Sequence, residues 1–485
     1  RRIMKMKLYI AVLFSLLCCS CGNDFLDISP SNSAGDANLI NSVSDLRIAT
    51  EGVYEVLTSS SYYAGEYTFV ADLMGDHMME PSWGSQHLKY FYAYGLTKVS
   101  AGTGFYRLIY LGVQDINLII EKADKLENTP EKKALIAELR TLRALLHFDL
   151  VRMYGPMYGN LGKGTIKSDA LGIRVAGKAY KDVREVFYRS KVSDVYGFIC
   201  TELEEAVPLL SVKKRNGYFD YWGGRALQAK VYLYMEKDAL ALAAAEDVIK
   251  NSGCELYSRD EYVASWGKEY GSESLLELPT SLEDNAGYTS LGWICSEAGY
   301  KTVVPTRDFL DLAEADPEDV RFKLLRYSSK DKCYYISGKY PGREGNIKIN
   351  NPKVLRLSEV YLIAAEAALK VNDMKKARDY LGDLRRERTT TDPDKYNTRV
   401  TLEDVLYERA VELYGEGSRA WDLWRNRKPV IRWRTPQEKD EKGHTDNLES
   451  GVISFDFFQT IYPINERELE LLPLKDRESQ QNPGY

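Results

Sequence analysis

The chain has 485 residues, 44% of them hydrophobic and 28% charged, so it can bury the core of one large or two ordinary domains. Its 71 acidic residues outnumber its 65 basic ones, which argues against nucleic acid as a partner, because binding to a phosphate backbone depends on clustered Lys and Arg. After the first twenty residues, no apolar run approaches the roughly 20 residues that a membrane-spanning helix needs.

The first twenty residues have the layout of a secretory signal peptide. Basic residues precede the apolar stretch LYIAVLFSLL and a few small residues. Cys21 follows directly and resembles the acylated cysteine of a bacterial lipobox, although Cys18 stands three positions earlier, where Leu is usual. We predict that residues 1–20 are removed and that lipid on Cys21 anchors the mature chain to a membrane. The alternative is an ordinary signal peptide that is cut near Ser20 and leaves a free thiol.

Several later stretches repeat apolar residues with the period of an amphipathic helix. Residues 131–156 form the first, which ends at Gly155 and Pro156, and residues 190–210 form the second, which Pro208 closes. Residues 223–253 predict two helices about a turn near Lys237, and residues 354–388 predict two more about Asn372 and Asp373.

Small residues in these two helix pairs permit the close crossing that is typical of tetratricopeptide repeats. The pairs begin about 130 residues apart, whereas tandem repeats of this kind recur every ~34 residues. The sequence therefore predicts discontinuous helix pairs.

Two regions between the helical stretches are rich in Gly, Pro, Ser and Tyr and show little periodicity, residues 59–104 and 254–354. Long loops on a rigid scaffold often carry binding functions. The chain also has 35 tyrosines against 14 phenylalanines. Tyrosine suits ligands that are half apolar and half hydrogen-bonding, such as sugar rings or peptides.

Seven segments form a combination that is more specific than any of them alone: CGNDFLD, AELRTLRALLHFDLVRMYG, VSDVYGFICTELEEAVPLL, RALQAKVYLYM, LRLSEVYLIAAEAAL, LYERAVELYGEGSRAWDLWR and the terminal YPINERELELLP with QNPGY. In this order they resemble the SusD/RagB family of outer-membrane, nutrient-binding lipoproteins of Bacteroidetes. The resemblance runs from Cys21 to Tyr485 and implies a single SusD-like domain over residues 21–485.

The resemblance implies a mainly α-helical fold, in which tetratricopeptide-like helix pairs cradle an irregular, loop-rich half that binds the ligand. It implies a lipid-anchored protein of the cell surface that captures oligosaccharides, or peptides in some members, for a SusC-type TonB-dependent transporter. Members of the family are not known as catalysts, and we expect no catalytic residue, no cofactor and no metal. Matching motifs imply buried ion pairs among the C-terminal helices, made by Glu408, Arg409, Arg419 and Asp422.

The residues themselves give few signs of an enzyme. The chain has four histidines and contains no HExxH, G-x-S-x-G or P-loop motif. Asp72, Asp76 and Glu80 are spaced like a carboxylate cluster that could hydrolyse a glycoside or bind an ion. Because the fold sets the separation of a catalytic pair, hydrolysis stays open at this stage, but we expect these carboxylates to contact ligand hydroxyls or to lie at the surface.

A protein that binds sugars without cleaving them needs flat aromatic faces and a few polar groups. Trp83 and Trp293 lie in irregular, Gly-flanked loops and are the predicted platforms, with Tyr288, Asn285 and Asp76 as supporting residues. The alternative for each Trp is that it packs beneath its own loop. The remaining tryptophans of the helical motifs are expected in the core or at an interface: Trp222, Trp421, Trp424 and Trp433.

The preferred function is thus capture of a glycan and its delivery to the transporter. The alternatives at this stage are a peptide receptor, a glycan hydrolase and a pure assembly scaffold.

Overall fold

The computed structural model describes residues 40–100, 103–181 and 187–485. The predicted signal peptide and Cys21 lie outside these residues. The helices are α1 (Val43–Val53), α2 (Tyr67–Leu73), α3 (Lys89–Tyr92), α4 (Thr103–Ala123), α5 (Pro130–Tyr154), α6 (Val192–Ala206), α7 (Tyr221–Tyr234), α8 (Asp238–Asn251), α9 (Arg259–Ser265), α10 (Leu291–Ile294), α11 (Arg307–Ala315), α12 (Leu357–Lys370), α13 (Met374–Arg386), α14 (Leu402–Glu412), α15 (Arg419–Arg425), α16 (Pro436–Lys442) and α17 (Glu466–Glu470).

The strands are short and pair two by two in antiparallel fashion. β1 (Met78–Met79) pairs with β3 (Val304–Pro305), β2 (Ser274–Glu277) with β6 (Lys353–Arg356), β4 (Arg326–Ser328) with β5 (Cys333–Tyr335), and β7 (Val430–Ile431) with β8 (Val452–Ile453). The fold is mainly α-helical, as predicted.

The helices predicted from periodicity begin and end close to their predicted limits, whereas α4, with 21 residues, lies outside the predicted stretches. α5 starts after Thr129, whose side chain accepts a hydrogen bond from the Lys132 backbone N–H, and it ends at Gly155. α7 and α8 turn at Glu236 and Lys237, and α12 and α13 turn at Asn372, which has a φ of 63°. The four helices predicted for residues 223–253 and 354–388 are therefore confirmed.

The two predicted helix pairs, far apart in sequence, lie side by side in the fold. α8 packs against both α7 and α12, and α12 packs against α13. The small residues at these contacts are buried: Ala226, Ala229, Ala244, Ala364, Ala365 and Ala368. Discontinuous pairing is thus present, while the closer likeness to tetratricopeptide repeats stays a prediction.

The two regions that the sequence marks as loop-rich contain short elements. α2 lies in the first region and is buried at all seven of its positions. β1 in the first region pairs with β3 in the second, with Met78 opposite Pro305. This pairing joins the two regions into one irregular half.

All four residues of the predicted C-terminal ion pairs are paired, but only Arg409 and Asp422 pair with each other, which joins α14 to α15. Glu408 pairs with Arg321 at 2.7 Å, and Arg409 pairs with Asp422 at 2.8 Å. Arg419 finds its partner outside the motif, as described below. Three of the tryptophans expected in the core are buried, namely Trp421, Trp424 and Trp433.

Within the described ranges, no helix combines the length and apolarity needed to cross a bilayer. The four cysteines that the structure describes are free thiols: Cys200, Cys254, Cys295 and Cys333.

Candidate ligand-binding site

Three aromatic side chains of the irregular half meet edge to face at the start of α10. The rings of Tyr288 and Trp293 are 4.9 Å apart at 75°, and the rings of Trp293 and Tyr300 are 6.4 Å apart at 82°. Tyr288 is 59% exposed. We call Tyr288, Trp293 and Tyr300 the aromatic platform. Two of the five ligand residues predicted from sequence, Tyr288 and Trp293, are thus in contact.

The backbone around the platform is fixed by local contacts. The Tyr300 N–H donates to the Trp293 carbonyl at 2.8 Å. A Cβ at Gly299 would lie 1.9 Å from that same carbonyl oxygen, so only glycine fits there. The turn that carries both Trp293 and Tyr300 therefore depends on one glycine.

Asn285 shapes the loop that leads to the platform. Its amide nitrogen donates to the carbonyls of Ser281 and Leu282 at 2.8 and 2.9 Å, and its amide oxygen accepts from the Gly287 N–H at 2.9 Å. These contacts occupy both ends of the amide. The structure thus gives Asn285 the role of holding the turn before Tyr288.

Trp83 lies in a neighbouring segment and is 51% exposed. The Ser85 N–H donates to the Tyr300 carbonyl at 3.0 Å, which holds the segment of Trp83 against the turn that carries Tyr300. The Trp83 side chain itself lies beside the Tyr335 hydroxyl at the end of β5. Trp83 therefore flanks the platform on the same irregular half, without a ring contact to it.

Lys348 was not predicted from sequence. Its ammonium nitrogen lies 3.6 Å from the centre of the Tyr288 ring and 5.1 Å from that of Trp293. These are cation–π distances, and among the described residues Lys348 has no carboxylate partner. Tyr300, in the same Gly- and Tyr-rich loop as Trp293, could have been found from composition, but nothing in the sequence marks Lys348.

Asp76 lies away from the platform. Both of its carboxylate oxygens accept hydrogen bonds from Arg419, at 2.7 and 2.8 Å. Although burial raises the pKa of Asp76, the charge of Arg419 brings it below its ordinary value. Asp76 therefore joins the irregular half to α15, and its carboxylate is already engaged.

The other two carboxylates of the predicted cluster are buried. Asp72 is buried and accepts hydrogen bonds from the backbone of residues 415–419. Glu80 is buried beneath its loop. No group of acidic, His or Cys side chains in the described part of the chain is arranged to hold a metal ion.

Family profiles match most of the chain in two parts. One, described as the SusD family, matches residues 330–485. The other, described as starch-binding associating with outer membrane, matches residues 24–233. The chain belongs to the SusD/RagB family.

Individual SusD-like proteins extend over nearly the same length. A SusD-like protein of Bacteroides ovatus is 27% identical, over 87% of this chain and 83% of its own. The crystal structure of a putative sugar binding protein from Bacteroides vulgatus is 29% identical and covers 92% of this chain and 99% of its own, with a TM-score of 0.81. A laminarin binding SusD-like protein, 20% identical with a TM-score of 0.69 over 91% of this chain and 99% of its own, shares the fold.

Proposed function

We propose that this SusD-family protein is a cell-surface lipoprotein that binds a nutrient glycan at the aromatic platform and delivers it to a SusC-type TonB-dependent transporter. The proposal depends on one observation. The rings of Tyr288 and Trp293 meet edge to face, and the ammonium of Lys348 lies over both rings. Family members named for sugar and laminarin binding support it.

The platform has the chemistry that a sugar needs. An exposed tyrosine ring offers an apolar face to the C–H side of a pyranose, while its hydroxyl and the Lys348 ammonium can hydrogen-bond to sugar hydroxyls. Trp83, exposed on the neighbouring segment, adds a second face on which a further sugar unit can stack. The ligand is therefore an oligosaccharide or polysaccharide rather than a single sugar.

Calorimetric titration of the purified protein against a polysaccharide panel tests this proposal. We expect Trp293→Ala or Tyr288→Ala to weaken binding at least tenfold, and Trp83→Ala to weaken binding of long chains more than of short ones. Trp222→Ala is the matched control, because Trp222 lies on α7, where its indole donates to the Val212 carbonyl. Binding that is unchanged in both platform variants would overturn the assignment of the site.

The same panel separates the competing functions. Heat with peptides and none with any glycan would replace the glycan by a peptide ligand. Release of shorter products from an oligosaccharide would identify a hydrolase. Unchanged nutrient uptake in cells that carry the Trp83→Ala and Trp293→Ala variants would favour a scaffold.

The anchor and the partner have separate tests. We expect Cys21→Ala to fold normally and to leave the membrane fraction, since an acyl chain on Cys21 would supply the membrane affinity. Unchanged partitioning would contradict a lipid anchor. Copurification of the transporter with the tagged wild-type protein tests the proposed partnership.

A further inference from the structure

A second cavity lies apart from the aromatic platform and shares no residue with it. It has a volume of about 330 Å³ and lies between the N-terminal part of α4 and the segment that contains α17. Aromatic and leucine side chains form much of its wall, among them Tyr106, Phe187, Leu469 and Leu472. A cavity of this size and lining is within the range of small-molecule sites.

The guanidinium of Arg174 packs against aromatic rings in the cavity wall and not against an acidic side chain of the described residues. Its guanidinium carbon lies 3.3 Å from the centre of the Phe187 ring and 4.6 Å from that of Tyr180. Its Nε is buried and has no hydrogen-bond acceptor, and no carboxylate pairs with it in the described part of the chain. Stacking fixes the plane of the guanidinium and leaves its N–H groups free to bind an anion.

Arg189 adds a second uncompensated charge to the same wall. Its guanidinium donates to backbone carbonyls and to the Asn482 amide oxygen, at 2.7 to 3.0 Å, and all of these acceptors are neutral. Burial lowers the pKa of Arg189 to about 10, so it remains charged at neutral pH. The hydrogen bonds therefore satisfy its donors without balancing its charge.

Among the described residues, the lining also contains one carboxylate and a third arginine. Arg107 is exposed, and Glu468 feels the charges of Arg107 and Arg174 but forms no ion pair within 4.0 Å with either in the described ranges. In the described part of the lining, three guanidinium groups thus face one carboxylate. The imbalance favours an anionic ligand, because charge-assisted hydrogen bonds to guanidinium are strong.

We propose that this cavity is a second binding site, for a small organic anion whose carboxylate is bound by Arg174 and Arg107 and whose aromatic or aliphatic body packs against Tyr106, Phe187 and Leu469. The cavity requires both the carboxylate and the apolar body of the ligand. A purely polar anion would leave the apolar wall in contact with water, and a neutral apolar molecule would leave the arginines without an acceptor.

Calorimetric titration with 3-phenylpropionate, octanoate and the uncharged 3-phenylpropanamide tests the site on the purified protein. We expect at least one acid to bind saturably and the amide to bind at least tenfold more weakly than its acid. Arg174→Gln should weaken acid binding at least tenfold. Arg399→Gln is the matched control, because Arg399 is an exposed arginine that does not line the cavity, and it should change nothing.

A second variant, Arg107→Gln, tests the site if Arg174→Gln does not fold. If thermal melting shows that Arg174→Gln is unfolded, Arg107→Gln at the exposed rim should weaken acid binding at least threefold. Trp293→Ala should leave acid binding unchanged, which separates this site from the aromatic platform. Saturable binding of neither acid, equal affinity for acid and amide, or unchanged acid binding in the folded arginine variants would overturn the proposal.

Discussion

At the scale of single residues, Glu80 is a buried carboxyl that forms no ion pair among the described residues. It is 1% exposed, and the backbone N–H groups of Gln86 and Leu88 approach its carboxylate without reaching good hydrogen-bond geometry. Burial raises its pKa from an ordinary 4.5 to about 7. Because the folded chain then keeps a proton that the unfolded chain releases, the stability contributed by this residue falls as the pH rises from about 4.5 to 7.

Glu80→Gln should remove this pH dependence. One pH unit corresponds to about 1.4 kcal/mol, so at pH 8 the variant should be more stable than the wild type by on the order of 3 kcal/mol, and at pH 4 the two should be alike. Urea denaturation at both pH values measures the difference. The exposed Glu55→Gln is the control, and an equal effect of Glu80→Gln at both pH values would contradict the prediction.

The carboxylate of Asp72 is also buried but, unlike that of Glu80, it is fully hydrogen-bonded. It accepts four backbone hydrogen bonds, from Gly415 at 2.7 Å and from Gly417, Ser418 and Arg419 at 3.0 Å each. The spacing of Asp72, Asp76 and Glu80 in the sequence suggested a cluster facing a ligand or an ion. The partners of Asp72 are more than 340 residues away, so local spacing could not reveal them.

Asp72→Ala should leave these four N–H groups without an acceptor. We expect the free energy of unfolding to fall by about 3 kcal/mol or more, since each unsatisfied buried donor costs about 1–3 kcal/mol. Asp440→Ala, at an exposed position of α16, should change it by less than about 0.5 kcal/mol. A loss below about 1 kcal/mol for Asp72→Ala, measured by urea denaturation, would show that water replaces the carboxylate.

At the scale of elements, α8 is packed on two sides, by α7 and by α12. Its small residues permit this contact. Most of the long helices and their turns could be predicted because apolar residues recur over many helical turns and residues such as Gly155 mark their ends. α2 could not, because it has only seven residues, all of them buried, which is too short a stretch to show a period. α10, which carries Trp293, has only four residues and is too short to show a period.

Ala244→Leu should disturb the contact of α8 with its neighbours. Ala244 is fully buried, and forcing extra methylene groups into a packed site costs about 1–3 kcal/mol. Ala239→Leu on the same helix is exposed and should be nearly neutral. Thermal unfolding of the two variants compares them directly, and equal melting temperatures would contradict close packing at Ala244.

At the scale of the whole molecule, buried ion pairs join segments that are distant in sequence. Glu412 of α14 accepts hydrogen bonds from Arg388 at 2.9 Å and from Arg356 of β6 at 2.5 Å. Although burial raises the pKa of Glu412, these two arginines hold it well below its ordinary value. The stability contributed by Glu412 is therefore complete above pH 4.5 and is lost as the pH falls below it.

Glu412→Gln should remove the carboxylate that both arginines share, leaving Arg388 with Glu273 at 2.6 Å and Arg356 with Glu416 at 2.8 Å. We expect a loss of about 3–5 kcal/mol at pH 7, the usual cost of breaking a buried pair. Glu403→Gln, which removes an exposed pair with Lys428, should cost about 0–1 kcal/mol. Chemical denaturation at pH 7 compares the two variants, and similar losses would contradict a special role for the buried network.

The sequence by itself determined the family, most of the long helices and the regions in which a ligand site was to be sought, because these depend on local order and periodicity along the chain. Only the tertiary structure brought Lys348 onto Tyr288 and Trp293, engaged Asp76 with Arg419, and lined a cavity with arginines that have no carboxylate partner among the described residues. Such contacts join residues from distant segments, and their chemistry depends on which side chains meet and which remain without a partner. The spacing of residues along the chain indicates neither which side chains meet nor which remain without a partner.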